Sequence, residues 1–156
     1  MVNVAHRESP ASALGPIAVI GAGVAGLACA GRLVGEGATV AVFEREGAVG
    51  GRAGTGVYGG VAFDHGAQFL KVDDAEFRGM VRAWAGDGVV GRWRFVERDV
   101  REGRGRMVDR RRPVGQGGMQ ALCQTLSVGL DVQLGVAVAP LAAGGAPHAL
   151  EDEQGN

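Results

Sequence analysis

Long apolar runs, cysteine pairs and lysine are what this chain has least of. Nowhere in its 156 residues does an apolar stretch approach the ~20 residues that a membrane-spanning helix needs. The opening segment, MVNVAHRESPASALG, holds no apolar stretch of the length a secretory leader uses. The expectation is a cytoplasmic protein with no membrane partner. Cysteine occurs twice, at Cys29 and Cys123, each inside an apolar, helix-like run. Without a CxxC or Cys/His spacing these residues mark no metal site, and they are expected to be buried free thiols in a reducing compartment. Lysine occurs once, at Lys71. The net charge of −1 gives no argument for nucleic acid or an anionic surface. Seven arginines crowd Arg98 to Arg112, but Asp99, Glu102 and Asp109 interleave with them and aromatics are scarce beyond Val96. That pattern reads as solvated strand turns and not as a nucleic-acid patch. No Ser/His/Asp trio and no HExxH is spaced for hydrolysis or zinc.

What the chain has in excess is glycine, 29 residues, concentrated in Gly21–Gly37 and Gly47–Gly66. With 46% hydrophobic residues a core is affordable, so these glycines suggest loops shaped for a ligand more than a low-complexity linker. Met1 to Gly15 reads as a loose tail. Ile17–Ile20 and Thr39–Phe43 are short continuous apolar runs, the pattern of strands buried on both faces. Between them Val24–Glu36 has a helical stripe of Leu27, Ala30 and Leu33–Val34. Strand, helix and strand in this order make a parallel βαβ unit. Glu46–Gly60 reads as loop, and Val61–Phe63 and Gln68–Leu70 as short strands. Asp74–Ala85 reads as a helix capped by Asp73 or Asp74, with Phe77, Val81 and Trp84 on one face. Val89–Met107 looks like antiparallel strands around polar turns. Gly118–Leu126 is a further helix with Met119, Leu122 and Leu126 inward, and Leu130–Val138 a strand. His148–Glu151 is a candidate last strand before the turn signal Gln154-Gly155-Asn156.

The chemistry lies in the glycines. In Gly21-Ala22-Gly23-Val24-Ala25-Gly26 the first glycine permits the turn out of the strand. The second lets a pyrophosphate approach the backbone, and the third lets helix and strand pack closely. The phosphates would sit at a helix N-terminus, where free N–H groups and the helix dipole favour an anion. Glu44 lies 23 residues after Gly21, near the spacing of the acid that binds ribose hydroxyls. This unit alone does not separate nicotinamide from flavin dinucleotides.

The next segment, Gly50-Gly51-Arg52-Ala53-Gly54-Thr55, resembles the GGR motif of the amine-oxidase and phytoene-desaturase-like flavoproteins. The resemblance implies that Arg52 and nearby backbone N–H groups neutralise the FAD pyrophosphate, a role suited to the guanidinium fork. Phe63-Asp64-His65-Gly66-Ala67-Gln68-Phe69 resembles the segment that passes the isoalloxazine ring in renalase-like members. Val114-Gly115-Gln116-Gly117-Gly118-Met119 and Leu130–Val138 resemble two later motifs, and Val138 would by that likeness contact adenine through its backbone. His65 reads as structural, and Asp64 as a side chain that holds a loop by accepting backbone N–H bonds.

The expectation is an α/β, Rossmann-like FAD/NAD(P)-binding domain with a parallel sheet and a small antiparallel meander. It occupies residues 16–140, after a tail at 1–15 and before a truncated hairpin or substrate domain at 141–156. The cofactor would be FAD, held by Gly21, Ala22, Gly23, Val24, Ala25, Gly26, Glu44, Arg45, Gly50, Gly51, Arg52, Gly66, Ala67, Gln68 and Val138. The resemblance implies hydride transfer from a small amine or dihydronicotinamide-type substrate to flavin N5. Members of that group are longer, so the chain reads as their N-terminal portion without the substrate domain, and no catalytic residue is assigned. Two alternatives are a non-catalytic nucleotide-binding remnant and an NAD(P)-binding Rossmann protein. The cradle reading carries one condition: Ile17–Ile20 is not an exposed edge strand.

Overall fold

A computed structural model of the chain describes residues 15–101, 104–139 and 152. Along it run β1 (Ile17–Ile20), α1 (Val24–Gly35), β2 (Val40–Glu44), a 3₁₀ turn (Gly51–Ala53), β3 (Thr55–Tyr58) and β4 (Val61–Asp64). They are followed by α2 (Ala75–Gly86), β5 (Val90–Arg101), β6 (Arg104–Gly115), α3 (Gln120–Ser127) and β7 (Asp131–Leu134). The fold is α/β and Rossmann-like, with a parallel sheet and antiparallel strand pairs. It divides into two compact units, Met1–Gly51 with Leu126–Asn156, and Arg52–Thr125. No helix of the described residues is long and apolar enough to cross a membrane.

The first unit is built on a parallel sheet in the order β1-β2-β7, with Ile17 opposite Val40 and Ala41 opposite Asp131. Parallel neighbours cannot be joined by a tight turn, and α1 supplies the crossover between β1 and β2. Alternation along β2 sends Val40, Val42 and Glu44 to one buried face. Leu27 and Ala30 of α1 are fully buried. Gly26 makes the close approach of helix and strand possible. A Cβ there would overlap the Gly21 carbonyl oxygen and stand 3.4 Å from Val19 Cγ1.

Two readings of this unit need correction. Ile17–Ile20 is not buried on both faces. Ile17 and Val19 are half-buried, whereas Ile20 is 56% exposed, and among the described residues β1 is an edge of its sheet. The helix covers only the face that carries Val19. The condition placed on the cradle therefore fails as stated. The glycine loop nevertheless forms, because it needs only the β1–β2 pairing and the packing of α1. The second correction concerns Leu130–Val138, of which only Asp131–Leu134 is strand. Gly135 then turns the chain with φ +74. The tail, residues 141–151 and the final turn signal lie outside the described residues.

In the second unit, β3 and β4 form a hairpin within what the sequence presents largely as loop. Its turn is Gly59-Gly60, with φ of +58 and +81. Both central residues of such a two-residue turn need positive φ, which glycine adopts without a steric penalty. Gln68–Leu70 is not a strand. It is fastened by single bonds, Ala67 N–H to the Arg52 carbonyl at 2.8 Å and Leu70 N–H to the Pro113 carbonyl at 2.8 Å. Helix α2 begins at Asp74, whose carboxylate accepts from Phe77 N–H at 2.8 Å, and it buries Val81 and Trp84. That bond holds the Asp74 carboxyl below the usual range. Strands β5 and β6 form one long hairpin from the Val90–Gly115 pair to the Arg101–Arg104 pair. The arginine-rich stretch is thus strand and not a set of turns. A two-stranded ribbon can carry charged residues along both faces, so the polar alternation conceals its period.

Helix α3 buries Leu122 and Cys123 beside Met119, while Leu126 is only half-buried. Both cysteines are thiols, but Cys29 is exposed on α1, against the expectation that both are buried. The apolar stripe of α1 runs through Leu27 and Ala30, and position 29 falls off it. Burial pushes the Cys123 thiol up, which suppresses its thiolate. A soluble aromatic disulfide should therefore titrate one thiol in the folded chain and both after denaturation. Two fast-reacting thiols in the folded state would refute the buried placement of Cys123.

Candidate functional site

The glycine loop of the first unit joins β1 to α1, and its three glycines have different reasons for being there. Gly21 has φ +96, which side-chain-bearing residues rarely adopt. Gly26 is required by the overlap with the Gly21 carbonyl. Gly23 is the N-cap of α1 with φ −81 and ψ 176, a conformation open to any residue. A Cβ on Gly23 would meet nothing nearer than the Gly50 carbonyl oxygen at 3.9 Å. Neither the protein's backbone nor its packing calls for glycine at this position. The helix that starts here has no side-chain cap and no acidic residue in its first turn. No side chain of the helix itself offsets its N-terminal dipole, and the exposed turn has the chemistry of an anion site.

The second glycine motif is brought directly onto the first. Gly50 forms a parallel bridge with Gly23, and Gly50 N–H donates to the Ala22 carbonyl at 3.0 Å. A Cβ at Gly51, whose φ is +52, would stand 3.5 Å from Gly23 Cα. Glu44, at the end of β2, is 7% exposed. Its Oε2 accepts from Ala22 N–H at 2.7 Å and its Oε1 from Glu46 N–H at 3.0 Å. The carboxylate thus clamps the loop, and each oxygen keeps a lone pair for a further donor. Arg45 beside it is exposed and pairs with Glu46 at 3.3 Å. The chain after β7 joins the same unit through Gly135 N–H to the Glu46 carbonyl and Val136 N–H to the Glu44 carbonyl. Val138 is half-buried and bridges Asp152.

The second unit links the remaining motifs in the same backbone-to-backbone manner. Arg52 is exposed in its 3₁₀ turn. A Cβ at Gly66 would overlap the Arg52 carbonyl oxygen, and Ala67 N–H donates to that carbonyl. Asp64 Oδ1 accepts from Thr55 Oγ at 2.6 Å and from Met119 N–H at 2.8 Å, and Thr55 Oγ in turn accepts from Gln120 N–H at 3.1 Å. Asp64 therefore fastens the start of α3. His65 is exposed. A cavity of about 480 Å³ opens beside these residues, lined by Phe63, Asp64, Gln68, Trp93 and Val114 among others. Sequence reasoning assigned neither Phe63 nor Trp93 a contact of its own. The signal it missed was the Gly59-Gly60 hairpin turn, which carries Phe63 to the cavity. Among the described residues no group of three His, Cys, Asp or Glu side chains stands together.

The fold is that of a Rossmann-like α/β unit. Residues 19–84 match the family described as the NAD(P)-binding Rossmann-like domain. The chain is 47% identical over 58 residues to the 4,4'-diapophytoene desaturase (4,4'-diaponeurosporene-forming) of Staphylococcus haemolyticus (strain JCSC1435), covering 37% of this chain and 12% of that protein. It is 48% identical over 58 residues to the phytoene dehydrogenase of Streptomyces griseus, covering 37% and 11%. With protoporphyrinogen oxidase 2, chloroplastic/mitochondrial, of Arabidopsis thaliana it shares 42% over 60 residues, 38% of this chain and 12% of that one. A redesigned triple mutant of putrescine oxidase superposes with TM-score 0.64 over 90% of this chain and 55% of its own, at 14% identity, a likeness of fold. The matched stretches amount to about a tenth of the curated relatives' lengths.

Proposed function

We propose that this chain is the dinucleotide-binding part of an FAD-dependent oxidoreductase of the desaturase and amine-oxidase kind. The observation that carries the reading is Gly23. It is a glycine that neither conformation nor packing requires, at the uncapped start of a helix, with Gly50 and Gly51 packed against it. A pyrophosphate close to the backbone accounts for all of these features. The residues present fit the group. Val24, Ala25 and Gly26 offer first-turn N–H groups, Glu44 a carboxylate for ribose hydroxyls, and Arg52 a guanidinium for the phosphates. Val138 would meet adenine through its backbone. The flavin, when bound, supplies a hydride acceptor at N5.

The names of the relatives support oxidation of a small-molecule substrate, and the Phe63–Phe69 motif supports the renalase-like branch. A second reading, NAD(P) in place of FAD, rests on the description of the matching domain. Glu44 argues against its 2′-phosphorylated form, because a buried carboxylate beside the ribose repels that phosphate. The test is gel filtration of the purified chain with FAD, followed by its visible absorption spectrum. Oxidised-flavin bands co-eluting with protein are expected. Binding of NAD without retention of FAD would replace the flavin reading with the second one.

A further inference from the structure

One face of the β5–β6 hairpin carries a cation that the fold leaves unmatched. Arg112 lies directly across the ribbon from Trp93. Its Nε is buried and has no hydrogen-bond partner. Its guanidinium stands over the Phe69 ring, 5.2 Å from the centroid. The neighbouring hairpin carboxylates are already engaged, Glu97 with Arg110 at 2.9 Å and Asp109 with Arg94 at 2.8 Å. Among the described residues Arg112 has no ion pair.

The cavity of about 480 Å³ lies on this same face. Trp93, opposite Arg112, lines it, as does Val114, which follows Arg112 by two positions and so shares its face. Gln68, adjacent in sequence to Phe69, lines it as well. Phe63, Ala62 and Val114 give its wall apolar patches, and Asp64 lies in the wall with its Oδ1 engaged by Thr55 Oγ and Met119 N–H.

A half-buried guanidinium whose Nε has no acceptor, on the strand face that borders such a cavity, has the chemistry of a carboxylate receptor. Its planar N–H fork matches two carboxylate oxygens, and a buried donor without an acceptor is relieved when one arrives. The same positive charge disfavours a protonated amine beside Arg112. We propose that Arg112 anchors the carboxylate of the substrate, and that the substrates are small organic acids with an apolar or aromatic body resting against Phe63 and Trp93. Calling the ligand a substrate rests on the flavoprotein reading; the binding of the carboxylate does not.

The test uses the full chain and three isosteric probes, benzoate, benzamide and benzylamine, titrated by tryptophan fluorescence with and without FAD. Benzoate should bind saturably and at least tenfold more tightly than benzamide, and benzylamine most weakly. Arg112→Gln should lower benzoate affinity at least tenfold and bring it level with benzamide. Arg112→Lys, which keeps the charge and loses the fork, should fall between. It decides the matter if the glutamine variant does not fold. Arg111→Gln, one residue away on the other face, should leave all three affinities unchanged. Benzoate binding no tighter than benzamide, or equal in wild type and both Arg112 variants, overturns the proposal. Benzoate binding that follows this pattern while FAD fails to bind removes the flavin reading alone.

Discussion

Gly23→Ala is expected to remove dinucleotide binding from a chain that still folds, whereas Gly26→Ala is expected to damage the fold itself. The two positions belong to one loop, and the contrast follows from what a new Cβ would touch. At Gly23 it would stand 3.9 Å from the Gly50 carbonyl oxygen, an ordinary contact, on backbone that any residue adopts. The methyl would occupy the space through which a pyrophosphate reaches the helix N-terminus. Affinity for FAD, and for ADP as its shared half, should fall at least tenfold with the melting temperature almost unchanged. At Gly26 the Cβ would overlap a backbone carbonyl, so α1 must move off β1 and lose the packing of Leu27 and Ala30. Overpacking of this kind costs about 1–3 kcal/mol, and backbone yields less readily than a side chain. Thermal unfolding followed by circular dichroism, paired with ADP titration, separates the effects. Undiminished nucleotide affinity in Gly23→Ala would sink the cradle assignment.

Glu44→Ala should act on binding and stability together. Read from spacing alone, Glu44 is a ribose ligand and its loss is a binding defect. In the folded chain the carboxylate also accepts from Ala22 N–H and Glu46 N–H while almost wholly buried. Alanine would leave both donors without a side-chain acceptor; the buried Ala22 N–H costs about 1–3 kcal/mol, and the part-buried Glu46 N–H, which water can reach, costs less. The replacement should therefore lower the unfolding free energy by an amount of that order. It should also weaken FAD and ADP binding at least tenfold, by loosening the loop and by removing the hydroxyl acceptor. Glu44→Gln is not a neutral control, since both oxygens receive N–H donors and the amide would turn its own NH₂ toward one of them. Denaturant titration without ligand gives the first effect, and affinity measured on the folded fraction gives the second. A full affinity in that fraction would confine Glu44 to the structural role.

The βαβ core was legible because its signals are local. Apolar runs at Ile17–Ile20 and Thr39–Phe43, the stripe of Leu27 and Ala30, and the punctuation by Gly21 and Gly37 each act within a few residues. The cap at Asp74 and the buried pair Val81 and Trp84 were legible for the same reason. Of the β3–β4 hairpin, Val61–Phe63 was legible as a strand, whereas Thr55–Tyr58 was read as loop although Gly59-Gly60 is itself a local turn signal. Strand β3 is short and interrupted by Gly56, so no alternation marks it. The long β5–β6 ribbon was legible as antiparallel strands over Val89–Met107, but its arginines suggested turns where the strands continue, because a two-faced ribbon tolerates charge.

Glycine spacing and residue type by themselves determined the parallel βαβ unit, the helix N-terminus suited to an anion and the acid at the end of β2. These depend on φ, on Cβ sterics and on distances along the chain. Only the tertiary structure decided that Gly50 bridges Gly23, that Gly66 packs on the Arg52 carbonyl and that Glu44 is spent partly on the loop's own backbone. It also decided that β1 is an edge strand among the described residues, that Cys29 faces outward and that Arg112 is left without an acceptor. The physical reason is common to all of them. Whether a backbone group or a charge finds a partner depends on which distant segment packs against it, and that information does not reside in the residues next to it.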